Sequence, residues 1–255
     1  MNFNEKLVQY ADLAVRTGVN IQKGQILVMQ CPVEYAEFAR MIMENAYKAG
    51  AKDVVLLWKD EKSGRIRYDY ADLEVFESIP EWRRVLFNGY AAQGAAFLNV
   101  LAEDPEIFKG VASEKLLAGV KASERDLKEY RECFDKNELQ WNLIAVPNEA
   151  WAKKIFPALS KDEAIEKLWD AIFKTVRIGN GDPVELWKKH GDTLSEKSSI
   201  LNKKQFVKLT YKNSIGTDFT TGMPKNHVWA GGGETNTKGV LFFPNMPTEE
   251  VFTAP

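Results

Sequence analysis

Two adjacent carboxylates, Glu249 and Glu250, are the residues of this sequence best suited to carry chemistry. Carboxylate oxygens are hard ligands that hold divalent cations in proteins. The preceding Thr248 offers a second interpretation, in which its hydroxyl caps a helix and the two acids lie in the first helical turn. Capping is much commoner than catalysis, so the doublet alone does not establish a metal site.

The two histidines, His190 and His227, are the other candidate metal ligands, because imidazole binds zinc and related ions. His190 follows Lys188 and Lys189 near the end of a predicted helix, where a solvent-facing role favoured by the helix dipole is expected. His227 is predicted on or next to a strand. A metal site needs several ligands together, so we expect structural roles for both histidines.

The sequence gives little support for a catalytic serine or cysteine nucleophile. No serine or cysteine has a recognisable base and acid near it in sequence, although a catalytic triad is assembled in space. Cys31 and Cys133 are too far apart for a C-x-x-C pair or for zinc-finger spacing. Cys31 ends an apolar run, which predicts a buried structural thiol. A disulfide between the two cysteines remains open.

Nucleotide binding would require a glycine-rich turn directly after a strand, where backbone amides approach the phosphates. The segments after the first two predicted strands, residues 30–35 and 59–64, do not provide one. The glycine triplet at residues 231–233 lies between predicted strands with no helix after it. We therefore predict a flexible hairpin loop there and not an anion-binding nest.

The amino-acid composition indicates an ordinary globular protein and gives no support for a nucleic-acid-binding or membrane protein. The chain has 255 residues, of which 45% are hydrophobic and 27% are charged, as in an ordinary globular protein. A net charge of −2 gives no reason to expect a nucleic-acid partner. No stretch approaches the roughly 20 apolar residues of a membrane span, and no signal peptide is recognisable. We expect a cytoplasmic protein without membrane association.

The apolar pattern predicts the elements that would position these side chains. Continuous apolar runs predict buried strands at residues 26–29, 54–58, 96–100 and 143–146. Helical periodicity predicts helices at residues 3–14, 34–49, 71–77, 81–92, 113–134, 161–177 and 183–201. Buried strands that alternate with helices indicate an α/β fold with a Rossmann-like, mostly parallel sheet and helices on both faces.

The composition changes after residue 200. Residues 207–211 alternate between polar and apolar side chains, and residues 217–221 are rich in strand-forming types. This pattern predicts a smaller mixed or antiparallel β segment after the parallel sheet. We predict a domain boundary near residue 200, with an α/β N-terminal domain over residues 1–200.

Several blocks of the sequence resemble the M29 family of metallo-aminopeptidases, the aminopeptidase T, AmpS and PepS group. The resemblance covers essentially the whole chain and is densest from Trp151 onward. In order, the main blocks are residues 151–157, 168–174, 182–187, 209–211, 216–218, 222–229 and 245–255. The last two blocks are the most specific, and the final one contains the glutamate doublet.

The resemblance implies a metallo-aminopeptidase that removes N-terminal residues from short peptides with two divalent metal ions, zinc or cobalt. Residues 201–255 would then begin a truncated metal-binding catalytic domain. In the family pattern the second glutamate of the doublet, Glu250, is a metal ligand, with Glu249 as the alternative. No catalytic or cofactor-binding residue is assigned within this chain.

The resemblance also implies that this chain is an N-terminal portion of the enzyme. The remaining metal ligands and the general base would lie beyond Pro255, so we expect this chain to be inactive and to bind no metal tightly. A homodimer is expected by the same resemblance. The alternative hypothesis is a non-catalytic α/β binding or dimerisation module.

Overall fold

The structure is a computed structural model that describes residues 1–179 and 181–247. Its strands are β1 (Ile26–Pro32), β2 (Asp53–Lys59), β3 (Ala96–Leu101), β4 (Trp141–Ala145), β5 (Lys208–Lys212), β6 (Asp218–Gly222), β7 (Glu234–Thr235) and β8 (Leu241–Phe242). Its α-helices are α1 (Phe3–Leu13), α2 (Ala36–Lys48), α3 (Glu61–Tyr70), α4 (Glu81–Ala92), α5 (Ser113–Asp126), α6 (Lys128–Asp135), α7 (Glu149–Ile155), α8 (Lys161–Thr175) and α9 (Pro183–Lys204).

The first four strands form one parallel sheet in the order β2-β1-β3-β4. The predicted α/β class and the predicted parallel sheet are confirmed. β1, α2 and β2 form the expected βαβ unit, with Leu27 opposite Val54 and Met29 opposite Leu56. Each strand is an apolar run because the sheet is covered on both faces.

The two faces of the sheet carry separate cores, as the alternation of side chains along a strand requires. On one face Leu27, Met29 and Leu98 pack with the helices α1, α2, α8 and α9. On the other face Val28 and Phe97 pack with α4 and α6. The prediction of helices on both faces is therefore confirmed.

The prediction of a helix at residues 71–77 is wrong. The helical segment lies earlier, as α3, and residues 73–76 form only a single 3-10 turn. The acidic stretch after β2 explains the shift, because the Asp60 carboxylate caps α3 by accepting hydrogen bonds from the backbone amides of Lys62 and Ser63. The short helix α7, capped by Asn148, was also not predicted.

The single helix predicted at residues 113–134 is in fact two helices, α5 and α6, separated at Leu127. The Asn88 side chain of α4 takes over the hydrogen bond that a continuous helix would make there. Its Nδ2 donates to the Asp126 carbonyl at 3.0 Å, and its Oδ1 accepts from the Tyr130 amide at 3.2 Å. Leu127 can then turn into the core beneath α4.

Replacing Asn88 with alanine is expected to lower the free energy of unfolding by about 1–3 kcal/mol, because two part-buried backbone groups lose their partner. Urea denaturation of this chain measures the change. The control is Asn4→Ala at an exposed position of α1, expected to change stability by less than about 0.5 kcal/mol. An Asn88 variant as stable as the control would contradict the account of the helix break.

The segment after α9 contains two small antiparallel pairs, β5 with β6 and β7 with β8. The predicted antiparallel β segment is confirmed. The hairpin loop predicted at residues 231–233 is wrong, because β6 and β7 belong to different pairs. The glycines are needed for close packing instead: Gly232 has a φ of +85°, and a Cβ on Gly233 would lie 2.8 Å from Leu241 Cδ1. The domain boundary near residue 200 stays a prediction.

Cys31 and Cys133 are both free thiols, so the disulfide left open by the sequence is not formed. Cys31 is fully buried, as predicted. Burial, with a smaller contribution from Glu34, raises the pKa of the Cys31 thiol to about 12. Burial also raises the pKa of the half-buried Cys133.

Across the described ranges, no helix is long and apolar enough to cross a lipid bilayer.

Alkylation with iodoacetamide at pH 8 should therefore modify Cys31 at least about 100-fold more slowly in the native chain than in urea, because the reactive thiolate is both scarce and inaccessible. Cys133 serves as the internal reference, since it is partly exposed. Peptide mass spectrometry of timed samples gives both rates. Equal labelling of Cys31 in the native and denatured chains would contradict its burial.

Candidate metal-binding segment

The segment that leads to the glutamate doublet returns to the edge of the parallel sheet beside β4. The Leu143 amide donates to the Pro244 carbonyl at 2.7 Å, and the Met246 amide donates to the Leu143 carbonyl at 3.0 Å. These bonds form a parallel bridge between Leu143 and Asn245. The described chain thus reaches Pro247 along the outer edge of β4.

Hydrogen bonds of Phe243 with Gly18, which follows α1, and with Asn142 on β4 fix the start of this segment. The Phe243 amide donates to the Gly18 carbonyl at 2.8 Å, and Asn142 Nδ2 donates to the Phe243 carbonyl at 2.6 Å. Gly18 ends a π-helical turn that follows α1. A Cβ on Gly18 would lie 2.7 Å from Asn142 Cγ, so only glycine leaves room for the amide.

Apolar side chains then hold the segment in the core. Phe243 and Met246 are buried with the residues of α1, α8 and α9. The Phe243 ring meets the edge of the Trp187 ring at a centroid distance of 5.8 Å, in a T-shaped arrangement. It also lies directly over Gly191, where a Cβ would come within 2.8 Å of Phe243 Cζ. Residues 243–246 therefore form part of the fold and not a loose extension.

Glu249 and Glu250 lie outside the described residues, which end at Pro247. The assignment of Glu250 as a metal ligand, with Glu249 as the alternative, therefore stays a prediction.

His190 does not occupy the solvent-facing position near a helix end that the sequence predicts. It lies in the first third of α9 and is half-buried. Its ring packs edge-on against Trp187 at 5.5 Å, and its Nδ1 lies 2.9 Å from Arg177 Nη2. Because a guanidinium can only donate, Nδ1 acts as the acceptor and the ring proton is on Nε2. The Arg177 guanidinium also stacks over Trp187 at 5.2 Å.

His227 lies in the irregular segment between β6 and β7, after the turn at residues 225–226, and is not on a strand. Its Nδ1 is 2.9 Å from the Pro224 carbonyl, which makes Nδ1 the donor in that contact. Its ring packs edge-on against Trp229 at 6.1 Å. The two histidines make separate sets of contacts with protein groups.

The comparison with protein families identifies the chain. Residues 3–255 match the family model described as thermophilic metalloprotease (M29). The chain belongs to the M29 metallopeptidase family. The predicted family resemblance is therefore confirmed over almost the whole sequence.

Individual relatives of this M29 chain agree with that assignment. It is 40% identical over 254 residues to aminopeptidase AmpS of Bacillus subtilis, covering 100% of this chain and 62% of that protein. It is 42% identical over 255 residues to aminopeptidase PepS of Streptococcus thermophilus, again covering 62% of that protein. The M29 chain thus spans about three fifths of the length of these relatives.

A solved structure, wild-type AmpT from Thermus thermophilus, has the same fold. It superposes with a TM-score of 0.86 at 33% sequence identity, covering 97% of the M29 chain and 61% of that structure. Both the α/β sheet and the segment after it therefore belong to the fold of this relative.

The donors in the described part of the M29 chain do not form a metal centre. Within residues 1–179 and 181–247, no three His, Cys, Asp or Glu side chains come together as a set that could hold a metal ion. His190 and His227 turn one ring nitrogen each toward protein groups. The described side chains therefore do not fit the metal site that the family implies.

Sequence reasoning missed the residues that anchor the segment, Gly18 and Asn142. A glycine shortly after a predicted helix indicates no more than a helix end, although the main role of Gly18 is to make room for a side chain. Asn142 carried a usable signal, because it is a fully buried polar residue within the apolar strand β4. A buried amide requires a partner, and here that partner is the backbone of the returning chain.

Proposed function

We propose that the intact protein is a metal-dependent aminopeptidase that removes N-terminal residues from short peptides. The observation that carries this proposal is the M29 family match over residues 3–255, together with 40–42% identity to proteins named as aminopeptidases. Identity at this level over the whole chain supports a common fold and a common chemistry in the aligned part.

We further propose that this chain is the N-terminal portion of that enzyme and is inactive alone. It spans 62% of the length of AmpS and PepS. Its described residues offer no set of three metal donors, so the remaining ligands and the general base would come from the part of the relatives that this chain does not cover. A single carboxylate cannot hold a divalent ion tightly against water.

In this proposal Glu250 is the metal ligand contributed by the chain. The described chain leads toward it from residues 243–246, which hydrogen-bond to the β4 edge. If the segment continues in an extended conformation, Glu249 and Glu250 point to opposite sides and only one of them can face a metal. Glu249 is the alternative ligand for that reason.

The metal requirement follows from the reaction class. When bound by the intact protein, two divalent ions, zinc or cobalt in this proposal, would supply an activated water and polarise the scissile carbonyl. Carboxylates such as Glu250 supply hard oxygen ligands for such ions. The M29 chain itself would contribute the α/β domain that encloses one side of the substrate cavity and limits access to short peptides, in a cytoplasmic homodimer.

The test is hydrolysis of a tripeptide by purified intact protein. We expect release of the free N-terminal amino acid, loss of activity with a chelator, and recovery on adding zinc or cobalt. The matched control is the same tripeptide with an acetylated N-terminus, which an aminopeptidase should not cleave. Hydrolysis that survives complete metal removal, or cleavage of the acetylated peptide, would contradict the proposal.

A further inference from the structure

The hairpin formed by β5 and β6 has one apolar face and one polar face. Cross-strand partners share a face, and the register pairs Leu209 with Thr221 and Tyr211 with Phe219. Val207 and Met223 continue this face at the open end of the hairpin, where the Met223 amide donates to the Val207 carbonyl. The opposite face is polar, and its members are Lys208, Thr210, Lys212, Asp218, Thr220 and Gly222.

The apolar face is poorly covered. Val207 is 80% exposed and Phe219 is 46% exposed, and Val228 in the following turn is 79% exposed. In the part of the chain that the structure describes, β5 and β6 pair only with each other, so both strands have open edges. An isolated two-stranded hairpin is marginally stable in water and needs a third strand or a covering layer.

Polar atoms of the hairpin and of the segment after it also have unmet hydrogen-bonding capacity. Tyr211 Oη, His227 Nε2 and Trp229 Nε1 are shielded from solvent and have no hydrogen-bond partner among the described residues. Buried polar groups in native proteins are almost always paired. The unpaired polar groups and the exposed apolar face together favour a further partner for this region.

The segment that follows the hairpin is hydrogen-bonded to the end of α9. Asn202 on α9 exchanges two hydrogen bonds with the backbone of Trp229, at 2.7 and 3.0 Å. Gln205, which ends α9 in a left-handed conformation, donates to the His227 carbonyl at 3.2 Å. The apolar face therefore follows α9 directly in the chain, and its Val207 and Phe219 side chains are exposed.

Resting on the proposal that this chain is the N-terminal portion of a longer enzyme, we propose that this apolar face is an interaction surface covered, in the intact protein, by the downstream part that the relatives possess. The length of chain supports this occupant, since the M29 chain covers only 61% of the AmpT structure and 62% of the AmpS and PepS sequences. The covering part supplies an apolar layer over Val207 and Phe219 and a strand beside β5 or β6.

Hydrogen exchange tests the proposal without relying on peptide hydrolysis, so its failure is distinct from failure of the proposed function. The amides of residues 208–212 and 218–222 are compared in the 255-residue chain and in the intact protein. We expect exchange at least about 100-fold slower in the intact protein, because the hairpin is then part of a larger cooperative unit. Equal protection in both would overturn the proposal.

A second copy of the chain is the competing occupant, and dilution separates the two cases. Protection from a downstream segment is independent of protein concentration, whereas protection from a second copy falls as the dimer dissociates. Loss of hairpin protection on dilution, in step with the change of mass in light scattering, would therefore overturn the proposal in favour of self-association.

Substitutions at the face provide the direct test. Val207→Asp should leave the unfolding midpoint of the 255-residue chain unchanged, because Val207 is already 80% exposed. In the intact protein it should reduce hairpin protection at least about tenfold, because a charge is placed under an apolar layer. The control is Val85→Asp on α4, where the side chain is 59% exposed on a different element. If Val207→Asp prevents folding of the intact protein, Phe219→Ala is the milder variant. Unchanged hairpin protection in the intact Phe219→Ala protein would contradict the proposal.

Discussion

Replacing Glu250 with glutamine is expected to reduce kcat/KM of the intact M29 protein by at least about 100-fold, because an amide is a much weaker ligand for a divalent ion than a carboxylate. The effect should be the largest of any substitution in the chain. It should be accompanied by weaker metal binding, so the metal content after dialysis should fall together with the activity. Steady-state hydrolysis and metal analysis of the same preparation measure both quantities.

Glu249→Gln is the matched control, because it makes the same chemical change one residue earlier. If Glu250 is the ligand, the Glu249 variant should keep activity within about threefold of the parent, since adjacent side chains of an extended segment face opposite sides. The reverse pattern would assign the metal to Glu249. Full activity in both variants would remove the doublet from the metal site.

Gly18→Ala is expected to lower the free energy of unfolding of this chain by about 2–4 kcal/mol, through steric strain and a lost buried hydrogen bond. The new Cβ would lie 2.7 Å from Asn142 Cγ and 2.8 Å from Asn142 Oδ1, so the Asn142 side chain would have to move. Its hydrogen bond to the Phe243 carbonyl would be lost, and the adjoining bond from the Phe243 amide to Gly18 would be strained. Urea denaturation measures the change.

Gly64→Ala is the control for this substitution. Gly64 lies within α3, and a Cβ there would meet no atom within 4 Å. Alanine in a helix interior is favoured over glycine by roughly 0.5–1 kcal/mol, so the control should be neutral or slightly stabilising. If Gly18→Ala behaved like Gly64→Ala, the contact with Asn142 would not be what holds the returning segment.

The parallel sheet could be predicted because its physical signal is local. A strand covered on both faces must be apolar throughout, and four such runs separated by helical stretches leave few alternatives to an α/β fold. The break at Leu127 could not be predicted in the same way, because it depends on Asn88, which is distant in sequence and inserts its amide between Asp126 and Tyr130.

The candidate site was predictable only in part. The glutamate doublet is visible as a pattern, and the family resemblance implies a metal-binding role for it, which stays a prediction. The return of residues 243–246 to the β4 edge leaves no periodicity, because it rests on single contacts with Gly18, Asn142 and Trp187. The surroundings of His190 were mispredicted because of Arg177, which lies before α9 and reaches the ring only through the fold, whereas Trp187 is a neighbour one turn earlier in the same helix.

The most direct measurement of the central claim is peptide hydrolysis by the 255-residue chain and by the intact protein, side by side, with the same tripeptide and the same zinc or cobalt concentration. We predict turnover by the intact protein and none by the chain above a blank of metal and peptide alone, because the described residues hold no complete set of metal ligands. Metal-dependent turnover by the 255-residue chain would contradict the account, since its catalytic groups would then lie within this sequence.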